Sequence, residues 1–128
     1  MKWPWSRRKP TPLGERGEDL AVRHLKRSGF RILDRNVQLG RYEIDIIARE
    51  GDTVAFVEVK TRVSDDIADP EANVTPDKQR RIRHAAHRYM DAQDDPNTYY
   101  RFDIVSVLIP DDGPPTVTLY RDAFPDSR

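Results

Sequence analysis

The chain contains no cysteine, which excludes disulfide bonds and zinc sites built on thiolates. None of its apolar runs approaches the roughly 18 residues of a transmembrane helix, and its basic start lacks the apolar stretch of a secretory signal. It shows no glycine-rich phosphate loop, no nucleophilic serine arrangement and no histidine cluster with metal-ligand spacing. We therefore expect a cytoplasmic protein that does not bind membranes.

The 128 residues suit a single domain with one core. Basic and acidic side chains balance at 22 each, but their distribution is uneven. Residues 1–31 carry nine basic and three acidic side chains, whereas residues 91–128 carry eight aspartates and three arginines. The balanced total argues against a uniformly basic nucleic-acid-binding domain, yet a local basic surface remains compatible with it.

Hydrophobic periodicity and turn residues predict an α/β fold, in which a mixed β-sheet is flanked by helices in the order α-β-β-β-α-β-β. We expect residues 1–12 to form a flexible basic tail, residues 13–121 to form the domain and residues 122–128 to form a C-terminal tail.

The predicted first helix extends from Gly14 to Ser28. A loop that contains Pro70 precedes the second helix. This helix has Thr75 as its N-cap and Pro76 as its first residue, and it ends near Asp91. Strands are predicted over residues 30–37, 42–48, 53–62, 102–109 and 116–120.

A turn at Gly51-Asp52 determines the pairing of the second and third predicted strands. Because this turn pairs Glu50 with Thr53, Asp45 is expected to face Glu58 and Glu43 to face Lys60. Strand side chains alternate, so these four polar side chains share one predicted face. The opposite face is then an apolar strip built from three pairs, Ile44–Val59, Ile46–Val57 and Ala48–Ala55.

Two facing carboxylates oppose folding unless a cation or a proton lies between them. With Cβ atoms about 5 Å apart, two negative charges repel by roughly 3 kcal/mol at an effective dielectric of about 20. A favourable cross-strand pair stabilises by only about 0.2–1 kcal/mol. Asp45 and Glu58 are therefore candidate ligands of Mg²⁺ or Mn²⁺, and Lys60 on the same face is placed to hold a water or to stabilise phosphate charge.

Glu18 is a third candidate. It lies on the same helical stripe as Ala21, Val22 and Leu25 and is therefore expected to face inward, where carboxylates are rare unless they are paired or bound to metal. Gly17, its neighbour, leaves room for the helix to approach another element closely.

Plainer interpretations of these residues stay open. The segment Val57-Glu58-Val59-Lys60 is also typical of a half-buried strand with a solvated polar face, and short motifs often match by chance. Glu18 is also an acid near a helix start, where the helix dipole favours negative charge.

Four segments resemble the YraN family of predicted nucleases, within the restriction-endonuclease-like PD-(D/E)xK superfamily, over roughly residues 13–110. The segments are Gly17-Glu18, Glu43-Ile44-Asp45, Val57-Glu58-Val59-Lys60-Thr61-Arg62 and Arg101-Phe102-Asp103. The layout is also similar to archaeal Holliday junction resolvases. The resemblance implies a restriction-endonuclease-like fold.

The resemblance also implies roles for single residues. Asp45 and Glu58 would bind Mg²⁺ or Mn²⁺, Lys60 would assist the attacking water and Glu18 would be a further metal or water ligand. Tyr42 departs from the family, in which glycine is common at this position, and could alter access to the site. Related resolvases act in pairs, so a homodimer is expected by analogy.

The second predicted helix offers a basic surface. Together with Arg62, its residues Lys78, Arg81 and Arg88 are candidates for contacts with nucleic-acid phosphates. A solvated basic helix face is the plainer alternative.

These observations favour a metal-dependent endonuclease that hydrolyses phosphodiester bonds of DNA rather than RNA, with branched and single-stranded DNA as the candidate forms. One alternative is a non-catalytic nucleic-acid-binding module that keeps the nuclease fold. Another is a docking domain whose acidic C-terminal segment binds a basic protein.

Overall fold

A computed structural model describes residues 6–7, 9–63 and 74–126 of the chain. The predicted loop around Pro70 and parts of both predicted tails, residues 1–5, 8 and 127–128, lie outside the described residues. The described part confirms the predicted α/β fold, because a mixed sheet is flanked by two helices in the predicted order.

The sheet contains six strands that are neighbours in chain order. Strands β4 and β5 pair in parallel, and all other neighbours pair antiparallel. The elements are β1 (Ser6–Arg7), α1 (Pro12–Arg27), β2 (Arg31–Leu39), β3 (Tyr42–Glu50), β4 (Thr53–Arg62), α2 (Pro76–Gln93), β5 (Tyr99–Leu108) and β6 (Thr116–Tyr120). Strand β1 is an addition to the predicted order and lies within the segment expected to be a tail.

Both helices begin with the same local arrangement. Thr75 caps α2 by accepting a hydrogen bond from the amide of Lys78, as predicted, and Pro76 follows it. Thr11 and Pro12 start α1 in the same way, two residues before the predicted start at Gly14. Neither helix in the described part of the chain is long and apolar enough to cross a membrane.

The two helices cover opposite faces of the sheet, so that both faces are buried. Helix α2 packs on a cluster that includes Ile44, Phe56 and Phe102. Helix α1 packs on a second cluster that includes Ile46, Ala48 and Val57. The predicted apolar strip was therefore wrong about Ile44, which lies on the α2 face and not beside Ile46.

The backbone of the neighbouring strand β2 has an unusual conformation at the same level of the sheet. Asn36 of β2 has a left-handed φ of 52° and lies between the pairs Arg35–Ile46 and Val37–Ile44. Asparagine tolerates this conformation better than most residues. Beyond it, Val37 and Ile44 point to the α2 face, so strict alternation along β3 fails at the position of Asp45.

Packing continues beyond residue 121, the predicted end of the domain. Phe124 is buried and its ring stacks on that of Phe102, with centroids 5.0 Å apart. The amide of Ala123 donates a hydrogen bond to the carbonyl of Phe102, and Asp126 contacts His87 of α2. Residues 122–126 therefore complete the apolar cluster under α2.

Candidate active site

The candidate site lies where β3 and β4 separate. The predicted register is confirmed over five pairs, from Glu50–Thr53 to Ile46–Val57, where the backbone ladder ends. In the next step along the strands, Oδ2 of Asp45 accepts a hydrogen bond of 2.9 Å from the amide of Val59. The Asp45 carboxylate thus accepts a hydrogen bond that a backbone carbonyl would accept in a regular ladder. The side chains of Asp45 and Glu58 line a cleft at this point.

The carboxyl groups of Asp45 and Glu58 meet in this cleft. Both residues are largely buried, with 9% and 8% of their surface exposed. Burial raises the pKa of Glu58 to about 8, and the nearby negative charge of Asp45 acts in the same direction. The side chains of Asp45 and Glu58 therefore lie close together, as predicted, although the two residues are not a backbone pair of the ladder.

Two lysines stand beside this pair. Nζ of Lys78, in the first turn of α2, lies 3.6 Å from Oε1 of Glu58. The charges of Lys78 and Lys60 both lower the pKa of Glu58, against the larger effect of burial. Lys78 was predicted only as a phosphate contact, since no spacing in the sequence relates the start of α2 to the end of β4.

Helix α1 brings Glu18 to the same cleft. Glu18 is 4% exposed, as its position on the apolar stripe predicted, and NH2 of Arg35 lies 4.0 Å from its Oε1. The close approach depends on Gly17, because a Cβ there would lie 2.0 Å from Oγ1 of Thr61 on β4. Glycine at this position therefore allows α1 to lie against β4.

We call the space between these elements the carboxylate cleft. It has a volume of about 350 Å³. Its lining includes Glu18, Glu43, Asp45, Glu58, Lys60 and Lys78. All four catalytic residues expected from the sequence thus line one cleft.

A second hollow of about 240 Å³, here called the basic extension, shares Glu43 and Lys78 with the carboxylate cleft. Its other lining residues include Arg41, Tyr42 and Arg81. The ring of Tyr42 meets the exposed imidazole of His84 edge to face, with centroids 5.2 Å apart and planes at 88°. The sequence predicted only that Tyr42 could alter access to the site, and it did not predict the contact between the two rings.

Only two of the four predicted phosphate-binding residues line the basic extension. Lys78 and Arg81 line the basic extension, and Arg81 is also paired with Asp77 one turn earlier. The guanidinium of Arg88 packs over Gly40 in the β2–β3 turn. NH2 of Arg62 lies 3.5 Å from the hydroxyl of Ser106, so that this side chain is engaged on β5.

The acidic residues fit a hard divalent cation in part. Two adjacent carboxyl groups supply the oxygen ligands that Mg²⁺ commonly takes from a protein, together with water and phosphate oxygens. However, the described residues contain no group of three histidine, aspartate or glutamate side chains placed to hold one ion. The structure therefore brings Asp45 and Glu58 together as a two-carboxylate site, and Glu18 lines the same cleft.

Asp103, in the last of the motif segments, lies in a separate network. It is fully buried and accepts hydrogen bonds of 2.8 and 2.9 Å from Arg101 and one of 2.9 Å from the amide of Asp122. Arg101 and Arg121 also bind Glu50 at the β3–β4 turn. This network joins the ends of β3, β5 and β6 and does not line the carboxylate cleft.

Residues 17–107 of the chain match the model of a protein family described as "Uncharacterised protein family UPF0102". A UPF0102 protein of Chlorobaculum parvum is 48% identical over 99 residues, which are 77% of each chain. A UPF0102 protein of Geotalea daltonii is 45% identical over 112 residues, or 88% of each chain. The matched span includes Asp45, Glu58 and the two neighbouring lysines, Lys60 and Lys78.

Proposed function

We propose that this chain, which belongs to the UPF0102 family, is a metal-dependent endonuclease that hydrolyses DNA phosphodiester bonds. The observation that carries the proposal is the buried carboxyl pair Asp45–Glu58, which lines an open cleft together with Lys60 and Lys78. Membership of the PD-(D/E)xK superfamily and a cytoplasmic location belong to the same proposal. The mixed sheet and the motif residues on β3 and β4 support the superfamily assignment.

Asp45 and Glu58 hold Mg²⁺ or Mn²⁺ in this proposal. Such a cation, when bound, polarises phosphate oxygens and activates water near neutral pH. The Val59 amide directs one oxygen of Asp45 and so limits how its carboxylate turns. Burial makes repulsion between the two charged acids costly, so the pair would favour a bound cation.

Lys60 and Glu18 act on the water and the phosphate. The ammonium of Lys60 stabilises negative charge that develops on the phosphate, and Glu18, across the cleft on α1, accepts a hydrogen bond from the attacking water. Lys78 and Arg81 hold the DNA backbone along the basic extension.

The test is incubation of the purified protein with linear, flapped, single-stranded and four-way DNA in Mg²⁺, in Mn²⁺ and in a chelator. We expect cleavage of at least one substrate with either metal and none with the chelator. Lys60→Ala should abolish cleavage but leave most DNA binding, whereas Lys26→Ala, an exposed lysine of α1, is the matched control. Failure to cut any of the four substrates contradicts the proposal.

A non-catalytic nucleic-acid-binding module is the second candidate. It is favoured by Arg41, Lys78 and Arg81, which line the basic extension and can bind phosphates without a metal. This candidate predicts that Mg²⁺ leaves the DNA affinity unchanged. It also predicts that Lys60→Ala lowers the affinity only by the effect of one lost positive charge. Cleavage by the wild-type protein eliminates it.

A further inference from the structure

We infer that Tyr42 and His84 form a stacking platform for an unpaired base, so that the DNA taken by this cleft is single-stranded beside the cut phosphate. The inference rests on the proposed function, because it names the substrate form of the same cleft. It depends on how the two rings are placed relative to the lysines and the carboxyl pair.

Tyr42 lines a hollow that adjoins the carboxylate cleft, and its ring contacts that of His84. Glu43 and Lys78 line both the carboxylate cleft and the basic extension, so the two hollows are neighbours. Lys78 contacts Glu58 on the side of the cleft, and Tyr42 lines the basic extension. A strand whose phosphate lies at Lys78 and that follows the basic extension therefore passes Tyr42.

The spacing along α2 matches a step of one or two nucleotides. His84 follows Lys78 by six residues, which is about 9 Å along a helix axis. Stacked bases are about 3.4 Å apart along one strand, and an extended single strand covers more per nucleotide. A base next to the phosphate at Lys78 is thus within reach of the two rings.

The geometry of the ring pair leaves a stacking surface open. In a perpendicular pair, the ring that presents its edge has neither face covered by the other ring. His84 is exposed, while Tyr42 is half-buried and packs against the apolar cluster under α2. Tyr42 is therefore held in place, as a platform requires, and a flanking base can stack on this pair.

The groove also carries the charge that single-strand binding needs. Arg41, Lys78 and Arg81 line the basic extension, so backbone phosphates and bases find separate partners. Proteins that bind single strands combine such a positive groove with aromatic rings. A duplex keeps its bases stacked inside and offers the rings nothing to bind.

Binding in a chelating buffer tests this inference independently of cleavage. The probes are a fluorescent single-stranded oligonucleotide and a blunt duplex of the same sequence, titrated with the full-length protein at several salt concentrations. The double variant Tyr42→Ala/His84→Ala should weaken single-strand binding by roughly 5- to 150-fold. Duplex binding should change by less than about 2-fold, and the salt slope should not change because no phosphate contact is lost.

Tyr99→Ala/His24→Ala is the matched control, since Tyr99 is 66% exposed at the start of β5 and His24 lies on α1. The variant Tyr42→Phe/His84→Phe keeps both rings and should retain the single-strand preference even if the alanine variant folds poorly. Equal losses for single strand and duplex, or a wild-type protein without single-strand preference, overturn the inference. A protein that prefers single strands but never cuts them in Mg²⁺ instead defeats only the proposed nuclease activity.

Discussion

The backbone amide of Val59 donates a hydrogen bond of 2.9 Å to Oδ2 of Asp45, just beyond Ile46–Val57, the last pair of the ladder between β3 and β4. This contact keeps the Asp45 carboxyl in the cleft, where it meets Glu58. It also predicts how the site responds when one acid is replaced by its amide.

Replacing Asp45 by Asn should abolish cleavage while stabilising the metal-free protein. Asparagine retains an oxygen that accepts the Val59 hydrogen bond but removes the repulsion with Glu58. Above about pH 8, where both acids carry charge, we expect the free energy of unfolding to rise by on the order of 1 kcal/mol. Urea denaturation without divalent ions measures this, with the exposed Asp111→Asn as control. A less stable Asp45→Asn protein contradicts the prediction.

Stability of the metal-free protein should fall as the pH rises from about 4.5 to about 8, because Glu58 has its pKa raised across this window by burial and by Asp45. In this range the folded protein keeps a proton on Glu58 that the unfolded chain releases. The stabilisation by this proton is therefore fully present below about pH 4.5 and is lost as the pH rises to about 8. The expected slope is about 1.4 kcal/mol per pH unit.

Thermal unfolding across this pH range, with and without Mg²⁺, checks the expectation. Mg²⁺ should raise the melting temperature more at high pH than at low pH, since the proton and the cation compete for Glu58. Glu58→Gln should remove both the slope and the Mg²⁺ effect. An equal rise in melting temperature with Mg²⁺ at low and at high pH contradicts this prediction.

Gly17→Ala should destabilise the protein by about 1–3 kcal/mol and reduce cleavage. The added methyl group would lie 2.0 Å from Oγ1 and 2.9 Å from Cγ2 of Thr61, so α1 must move away from β4 and take Glu18 with it. Thr61→Ala removes both of these atoms, and the double variant should therefore recover part of the loss. Arg16→Ala, at an exposed neighbouring position, is the control, and a double variant that shows no recovery contradicts the packing explanation.

Asp103→Asn should cost about 3–5 kcal/mol, because it leaves the charge of Arg101 without its buried partner. Glu50→Gln, which replaces a more exposed partner of the same arginine, should cost less. Denaturant titration separates the two variants. Since the network does not line the carboxylate cleft, the folded fraction of either variant should still cut DNA at the wild-type rate.

Substitutions of the basic residues should differ in their effect on DNA binding. Lys78→Ala and Arg81→Ala should each weaken binding and lower the salt slope by about one. Arg62→Ala should change both less, because its side chain is engaged with Ser106. Asp77→Asn should strengthen binding, since Asp77 partly neutralises Arg81. Filter binding over a range of salt concentrations provides the comparison.

Local chemistry in the sequence was enough to predict several parts of the fold. The Gly51-Asp52 turn determines the register from Glu50–Thr53 to Ile46–Val57, because a short hairpin turn leaves a single way to align its strands. Thr75 and Pro76 determine where α2 begins. Helical periodicity likewise predicted that Glu18 faces inward.

Only the tertiary structure decided how these parts form a site. Ile44 lies on the α2 face, level with the left-handed Asn36 of β2, and the ladder ends before Asp45, so that its carboxylate can accept a hydrogen bond from the Val59 amide. The contact of Lys78 with Glu58 joins residues twenty positions apart through the packing of α2 on the sheet. Local spacing specifies hydrogen bonds between near neighbours in the chain, whereas contacts between elements depend on the shapes of the surfaces that pack together.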